Sequence, residues 1–166
     1  IVGADLSGLE LRCLAHYMKD TSYTEEILGG DIHTANQKAA GLKTRDESKR
    51  FIYAYLYGGG DDLIGKICGR RVYVRSPHSA LNFLLQSAGS IIAKRAWVIF
   101  HNLARSLEYK QLGVIHDEIQ IECDPEIADE IGSLVVEAME QTTDYYKLNC
   151  PITGEYKIGR SWNETH

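Results

Sequence analysis

The spacing of apolar and polar residues predicts that helices and strands both occur along the chain. Residues 1–4 are an apolar run typical of a buried strand. Ser7 and Glu10 have the spacing of a capping box, and leucines at helical intervals then predict a helix that ends near Met18. Further helices are predicted at residues 24–28, 31–40, 44–57 and 61–69, and a glycine follows or closes each of them.

The part of the chain from residue 70 onward adds most of the strands. The predicted order is a strand at 70–75, a long helix at 79–107, a hairpin at 111–123, a helix at 124–145 and a strand at 151–158. The hairpin is predicted because residues alternate with period two on both sides of His116 and Asp117. Asp124 and Pro125 are typical of a helix start. We therefore expect an α+β fold with an antiparallel sheet backed by helices.

Composition limits the class of protein. The chain has 166 residues, of which 44% are hydrophobic and 25% charged, as in one ordinary globular domain or a piece of a larger one. No apolar run approaches the ~20 residues of a transmembrane helix, and no signal peptide is visible. The four cysteines form no CxxC pair, so we expect reduced thiols, a cytoplasmic location and no membrane partner.

The charge is unevenly distributed along the chain. The formal net charge is −5, but residues 41–110 carry a balance of +7 and the remaining residues a balance of −12. A basic middle between acidic ends permits a polyanion to bind one face while carboxylates hold cations on another. Solvated helix faces explain the same composition, and composition alone favours that simpler explanation.

Two acidic residues lie at the ends of apolar strands. Asp5 ends the first strand, and Asp117 lies at the tip of the hairpin with Glu118 beside it. If the hairpin pairs next to the first strand, Asp5 and Asp117 converge, and converging carboxylates are how proteins hold Mg²⁺. Taken singly, each aspartate is explained as well by a turn.

A row of functional side chains is predicted along the helix at 44–57. Arg45, Lys49, Tyr53 and Tyr57 are spaced four residues apart, so they lie along one side of that helix. The two cations occupy its N-terminal half, where the helix dipole also favours an anion such as a polyphosphate. A surface helix with incidental basic residues is the simpler alternative, as the capping box is for Glu10.

These motifs, in this order, resemble the family A DNA polymerases, and most closely the replicative polymerases of short-tailed phages. The matching segments are D-L-S-G-L-E-L-R at 5–12 (motif A), R-D-E-S-K-R-F-I-Y-A-Y-L-Y-G at 45–58 (motif B), V-I-H-D-E-I at 114–119 (motif C), D-I-H-T at 31–34 and N-F-L-L-Q-S-A at 82–88. The resemblance covers nearly the whole chain. It implies a palm sheet with a fingers subdomain.

The resemblance also implies a role for each matched residue. Two Mg²⁺ ions, or Mn²⁺, would bind Asp5, Asp117 and the Leu6 carbonyl, with Glu118 supporting the site. The incoming dNTP would contact Arg45, Lys49, His33, Tyr53, Glu10, Tyr57 and Gly58. In that set Lys49 would also donate a proton to pyrophosphate, and Glu10 would exclude ribonucleotides. The primer–template would contact Arg75, Asn82, Gln86 and His116, largely in the minor groove.

The chain departs from the family pattern in two places. It begins at motif A, so we expect that the thumb and exonuclease domains are absent and that an N-terminal part of the polymerase is a partner. Gly69 and Arg70 join segments between which the family has several helices. We therefore expect a palm at about 1–20 and 70–166, with truncated fingers at about 21–69.

The sequence thus predicts the C-terminal catalytic part of a template-directed DNA polymerase. It would transfer a nucleotide from dNTP to a primer 3′-hydroxyl in the cytoplasm of a phage-infected bacterium, and would be poorly active alone. Two alternatives stay open: a non-catalytic or split-subunit scaffold of a polymerase complex, and a relative of the single-subunit RNA polymerases.

Overall fold

The computed structural model describes residues 1–29 and 80–166. The elements in these ranges are β1 (Val2–Leu6), α1 (Leu9–Met18), α2 (Thr21–Gly29), α3 (Ala80–Leu103), β2 (Tyr109–Ile115), β3 (Glu118–Cys123), α4 (Ala128–Tyr146), β4 (Gly154–Ile158) and α5 (Trp162–Thr165). The helices predicted within 30–69 and the strand predicted at 70–75 lie outside the described residues. The chain divides into two compact units, residues 1–9 with 89–166 and residues 10–88.

The first unit is built on a four-stranded sheet in the order β2-β3-β1-β4. All three pairings are antiparallel, and β1 lies between β3 and β4. The predicted hairpin therefore forms, and it pairs next to the first strand, which is the condition for Asp5 and Asp117 to converge. The expected α+β architecture with an antiparallel sheet is confirmed.

The two faces of this sheet differ in chemistry. Residues directly opposite each other in a sheet share a face, and successive residues alternate between faces. One face carries Val2, Ala4 and Leu6 together with Ile119 and Ile121, all at most 1% exposed. The other face carries polar side chains and the glycine at position 3. The apolar face forms part of the core of the unit, and the polar face carries the side chains that are suited to binding or catalysis.

Helix α4 covers the apolar face. It packs against β1 and β4 and buries Ile131, Val135 and Met139 completely. A 3-10 turn at Pro125–Ile127 precedes it, where the Asp124 carboxylate accepts a hydrogen bond from the Glu126 N–H at 2.9 Å. The predicted Asp-Pro start is thus confirmed, although the α-helix itself begins three residues after Pro125.

Helix α3 ends beside the hairpin and α4. Within the first unit, the Phe100 ring lies 5.1 Å from the Tyr109 ring, and the Arg95 guanidinium stacks 4.2 Å from the Tyr145 ring centre. In the second unit, the described residues are 10–29 and 80–88, and their buried side chains are Leu11, Cys13, Leu14, Ala15, Leu81, Leu84, Leu85 and Ala88. The helical periodicity predicted for both segments is confirmed.

The structure corrects several predicted boundaries. Helix α1 begins at Leu9, one residue later than a helix capped by Ser7 would begin, because Gly8 has a φ of 57° and is not helical. Helix α2 begins three residues earlier than predicted, since the Asp20 carboxylate accepts a hydrogen bond from the Tyr23 N–H at 3.1 Å. Helix α5 was not predicted at all. None of the helices within the described ranges is long and apolar enough to cross a membrane.

Candidate active site

Three carboxylates form one row across the polar face of the sheet. Asp5 of β1 lies opposite Glu118 of β3 on one side and opposite Glu155 of β4 on the other. Because opposite residues share a face, all three side chains belong to the polar side. The apolar residues of β1 and β3 on the other face anchor these strands, so the position of the row is fixed by the core.

The hairpin brings Asp117 beside this row. Its two strands are joined by a two-residue loop of His116 and Asp117, with Ile115 paired to Glu118. The Leu6 N–H donates a hydrogen bond to the Asp117 carbonyl at 3.2 Å, which ties the loop to the end of β1. Asp5 and Asp117, 112 positions apart along the chain, are therefore neighbours in the fold, as the sequence analysis expected.

The loop requires an unfavourable backbone conformation at His116. Its φ is 56°, in the left-handed region that residues other than glycine adopt uncommonly, although histidine, asparagine and aspartate do so more often than the rest. Two-residue hairpin loops need positive φ because their twist then matches that of the strands. Strain of this kind is held by the surrounding structure and occurs often at functional sites.

The carboxylates interact electrostatically. Partial burial, together with the negative charges of Asp117, Glu118 and Glu155, raises the pKa of Asp5 to about 6, and His166 opposes this shift. Burial makes the largest contribution to this shift. A carboxylate among like charges favours its neutral form unless a cation is present. The crowding therefore marks Asp5 as the group that a bound cation would relieve most.

Glu118 has a different environment from Asp5. It is 6% exposed, and its carboxylate accepts hydrogen bonds from the side chains of Gln120, Trp162 and His166. Burial alone would raise the pKa of Glu118, but these hydrogen bonds and the nearby His166 outweigh burial and lower it. Glu118 is therefore held as a carboxylate by its own set of donors.

The residues at this site fit a divalent cation of the magnesium type. Asp5, Asp117 and the main chain at Leu6 supply only oxygen donors, which Mg²⁺ prefers. Within residues 1–29 and 80–166 the structure contains no group of three or more His, Cys, Asp or Glu arranged to hold a metal ion. Mg²⁺ commonly takes one or two carboxylates and completes its shell with water and substrate phosphates, so a pair suffices.

The other predicted site residues fall into two groups. Glu10 lies on α1, and Asn82 and Gln86 lie on α3, all within the second unit. The remainder, which are His33, Arg45, Lys49, Tyr53, Tyr57, Gly58 and Arg75, lie outside the described residues. The structure thus brings together Asp5, Leu6, His116, Asp117 and Glu118, and the roles of all the predicted site residues stay predictions.

Sequence reasoning missed four residues of the site. Glu155 joins the carboxylate row, and Gln120, Trp162 and His166 hold Glu118. Glu155 and Gln120 were detectable in principle, since each occupies an alternate position of a predicted strand on the same face as an acidic residue. Trp162 and His166 act across 44 and 48 residues of sequence, and no local pattern signals such contacts.

Comparison with known proteins shows the family to which the chain belongs. A model of DNA polymerase family A matches residues 67–164, more than half of the chain. The DNA-directed DNA polymerases of Enterobacteria phage T3 and Escherichia phage T7 are each 36% identical over 233 aligned residues, which cover 99% of this chain. The alignment is longer than the chain, so these relatives carry residues within the aligned region that the chain lacks. The chain spans 33% of the length of each relative.

A solved structure has the same fold. The POL domain of Pol1 from M. smegmatis, in complex with DNA primer-template and dNTP, superposes with a TM-score of 0.84 at 21% identity. The match covers 99% of this chain and 40% of that one. These relatives are DNA polymerases, whereas the alternative of a single-subunit RNA polymerase finds no support among them. The chain belongs to DNA polymerase family A.

Proposed function

We propose that this chain is the palm and part of the fingers of a template-directed DNA polymerase. The reaction joins a dNTP to the 3′-hydroxyl of a primer and releases pyrophosphate. The observation that carries the proposal is the adjacency of Asp5 and Asp117 on the polar face of the sheet, fixed by the β1–β3 register and the hydrogen bond from Leu6 to Asp117.

Magnesium is the cofactor that suits this pair. Asp5, Asp117 and the Leu6 carbonyl would hold it, and Mn²⁺ has the same preference for oxygen ligands. Two such ions, if held there, would supply Lewis-acid chemistry: they would lower the pKa of the attacking hydroxyl and would neutralise the charge that develops on the leaving pyrophosphate. The protein's own part is to hold the two carboxylates on paired strands, so that little reorganisation is needed when substrate binds.

The nucleotide contacts follow from the motif resemblance. We infer that Arg45, Lys49 and His33 bind the triphosphate and that Lys49 donates a proton to the departing pyrophosphate. Tyr53 would pack against the incoming sugar and base, and Glu10 would exclude a 2′-hydroxyl. A further group, Tyr57 and Gly58, would bound the templating base. An expected consequence of Tyr53 is ready incorporation of dideoxynucleotides.

Primer–template DNA is the proposed macromolecular substrate. We infer that Arg75, Asn82, Gln86 and His116 contact it, largely through minor-groove acceptors that correct base pairs share. The phage and Pol1 relatives, one of them solved with primer-template and dNTP, support this inference. We also infer that the partner is an N-terminal part of the polymerase and that the reaction takes place in the host cytoplasm.

A single-nucleotide incorporation assay tests the proposal. The chain is mixed with a saturating concentration of primer–template, Mg²⁺ and the one complementary dNTP, and primer lengthened by one nucleotide is measured. We expect slow addition by the wild type, because the chain holds DNA weakly, and none by Asp117→Asn. The matched control is Glu122→Gln, which removes an exposed carboxylate at the far end of β3 and should leave addition unchanged.

Equal addition by Asp117→Asn and the wild type would contradict the proposed role of Asp117. Absence of addition by the wild type at a concentration of primer–template that it demonstrably binds would favour the non-catalytic scaffold.

A further inference from the structure

Helix α5 and the residue after it, His166, contact the buried carboxylate of Glu118 beside the proposed metal site. Glu118 Oε1 accepts a hydrogen bond from Trp162 Nε1 at 3.1 Å and another from the Gln120 amide, and Glu118 Oε2 lies 2.6 Å from His166 Nδ1. Glu118 is only 6% exposed, so these donors replace the water that an ionised carboxylate requires. Two of the three donors come from the last five residues of the chain.

The orientation of Gln120 is fixed by the same helix. The Thr165 hydroxyl donates to the Gln120 carbonyl oxygen at 2.9 Å, which leaves the Gln120 NH₂ group for Glu118. Gln120 and Thr165 are 2% and 5% exposed. A chain of hydrogen bonds therefore runs from α5 through Gln120 to the carboxylate, and its members are buried enough for each bond to matter.

A glycine makes this docking possible. A Cβ at Gly3 would lie 2.5 Å from Gln120 Nε2 and 2.6 Å from the Thr165 carbonyl oxygen. Only a residue without a side chain lets α5 approach β1 so closely. The residue after the helix is also held, because Lys157 Nζ donates to the His166 carbonyl at 3.2 Å. The segment that leads into the helix is held by the hydrogen bond from the Gly159 N–H to the Ile1 carbonyl at 3.0 Å.

The hydrogen bonds to Glu118 indicate that its function differs from that of Asp5 and Asp117. Both of its oxygens are occupied by donors, whereas Asp5 and Asp117 are the carboxylates that face a cation in the proposed reaction. We propose that Trp162 and His166 are positioning residues, which hold Glu118 against α5 so that it acts on the Asp5–Asp117 pair as a fixed charge and not as a metal ligand. This inference rests on the proposed function.

A double-mutant cycle tests it with two readouts. Trp162→Phe keeps an aromatic ring and removes the N–H donor; it is made in the wild type and in Glu118→Gln. Mn²⁺ affinity is measured by calorimetry without DNA, and the rate of single-nucleotide addition is measured separately. Once Trp162 no longer holds it, Glu118 can bind the metal ion as an additional ligand, so Trp162→Phe should tighten Mn²⁺ binding several-fold. The same change should slow nucleotide addition about tenfold, which is the usual size of effects from residues that support metal sites. In Glu118→Gln, Trp162→Phe should change neither quantity.

A second variant and a control complete the design. His166→Ala removes the donor at the other carboxylate oxygen of Glu118. The His166 side chain is 74% exposed, so the change leaves the core intact, and it should shift both readouts in the same direction as Trp162→Phe. Trp97→Phe makes the identical chemical change at the other tryptophan, and should leave Mn²⁺ affinity and the rate per folded molecule unchanged.

Three results would overturn the inference. If Trp162→Phe weakens both Mn²⁺ binding and addition, and does so equally in Glu118→Gln, the tryptophan is merely structural. Wild-type readouts for both Trp162→Phe and His166→Ala mean that the donors do not position Glu118. If the wild type binds no Mn²⁺, or binds it as well after Asp117→Asn, the proposed function fails and this inference fails with it, a result distinct from the first two.

Discussion

Replacing Gly3 with alanine should displace helix α5 from the polar face of the sheet. The added methyl group would lie 2.5 Å from Gln120 Nε2, 2.6 Å from the Thr165 carbonyl oxygen and 2.8 Å from Thr165 Cβ. Non-bonded heavy atoms prefer about 3.5–4.0 Å, so these groups must move apart by roughly 1 Å. Two of the three atoms belong to α5 at Thr165, which has to move with its helix.

The expected cost is that of overpacking a buried site, about 1–3 kcal/mol of unfolding free energy. For a chain of this size, 1 kcal/mol shifts the unfolding temperature by about 2–4 °C, so Gly3→Ala should lower it by about 2–12 °C. Thermal unfolding followed by far-ultraviolet circular dichroism measures the shift.

Gly113→Ala is the matched control for this experiment. It also adds a methyl group to a strand glycine of the same sheet, but the nearest atom, Ile115 Cδ1, is at an ordinary 3.7 Å. The unfolding temperature of this variant should equal or slightly exceed that of the wild type, since glycine is unfavourable within strands. Equal unfolding temperatures for Gly3→Ala and Gly113→Ala would refute the close packing of α5 on β1.

Three further predictions concern stability. At the hairpin loop, His116→Gly should be more stable than His116→Val by about 1–2 kcal/mol, because the positive φ of 56° penalises a residue with a Cβ. Urea unfolding measures the difference, and a more stable valine variant would contradict this prediction. The pKa of Asp5 is raised to about 6, so its stabilising contribution is fully present below pH 3.8 and is lost as the pH rises through 6. Asp5→Asn should therefore gain stability over the wild type above pH 6 and lose that advantage near pH 4, whereas an advantage independent of pH would exclude this cause. Ile131→Ala, at a fully buried position, should lower the free energy of unfolding by about 2–5 kcal/mol. Ile158→Ala, at a side chain that is 49% exposed, should lower it much less, and equal losses in urea unfolding would contradict the assigned core.

The parts of the fold that the sequence predicts are those governed by local periodicity. Strand β1, the hairpin and helix α4 follow from apolar spacing, and Asp124 with Pro125 marks the turn that leads into α4. Their packing can also be anticipated, because the apolar residues of β1 and β3 must share a buried face. The meeting of Asp5 and Asp117 then follows from the pairing of two predicted strands.

The features that escaped prediction either leave no local pattern in the sequence or depend on contacts distant in sequence. Gly8 adopts a left-handed conformation that delays the start of α1, and nothing in the capping-box spacing distinguishes it from a helical glycine. Helix α5 spans only four residues, too few for any periodic signal, and its docking depends on the missing side chain at Gly3. The donors to Glu118 are consequently visible only in three dimensions.

Calorimetric titration of Mn²⁺ into the chain tests the central claim most directly, since that claim is that Asp5 and Asp117 together hold a divalent cation. Wild-type protein and Glu122→Gln should show the same binding isotherm. Asp5→Asn and Asp117→Asn should each abolish or greatly weaken the binding, because each removes one of the two carboxylates. Identical isotherms for all four proteins would contradict the claim.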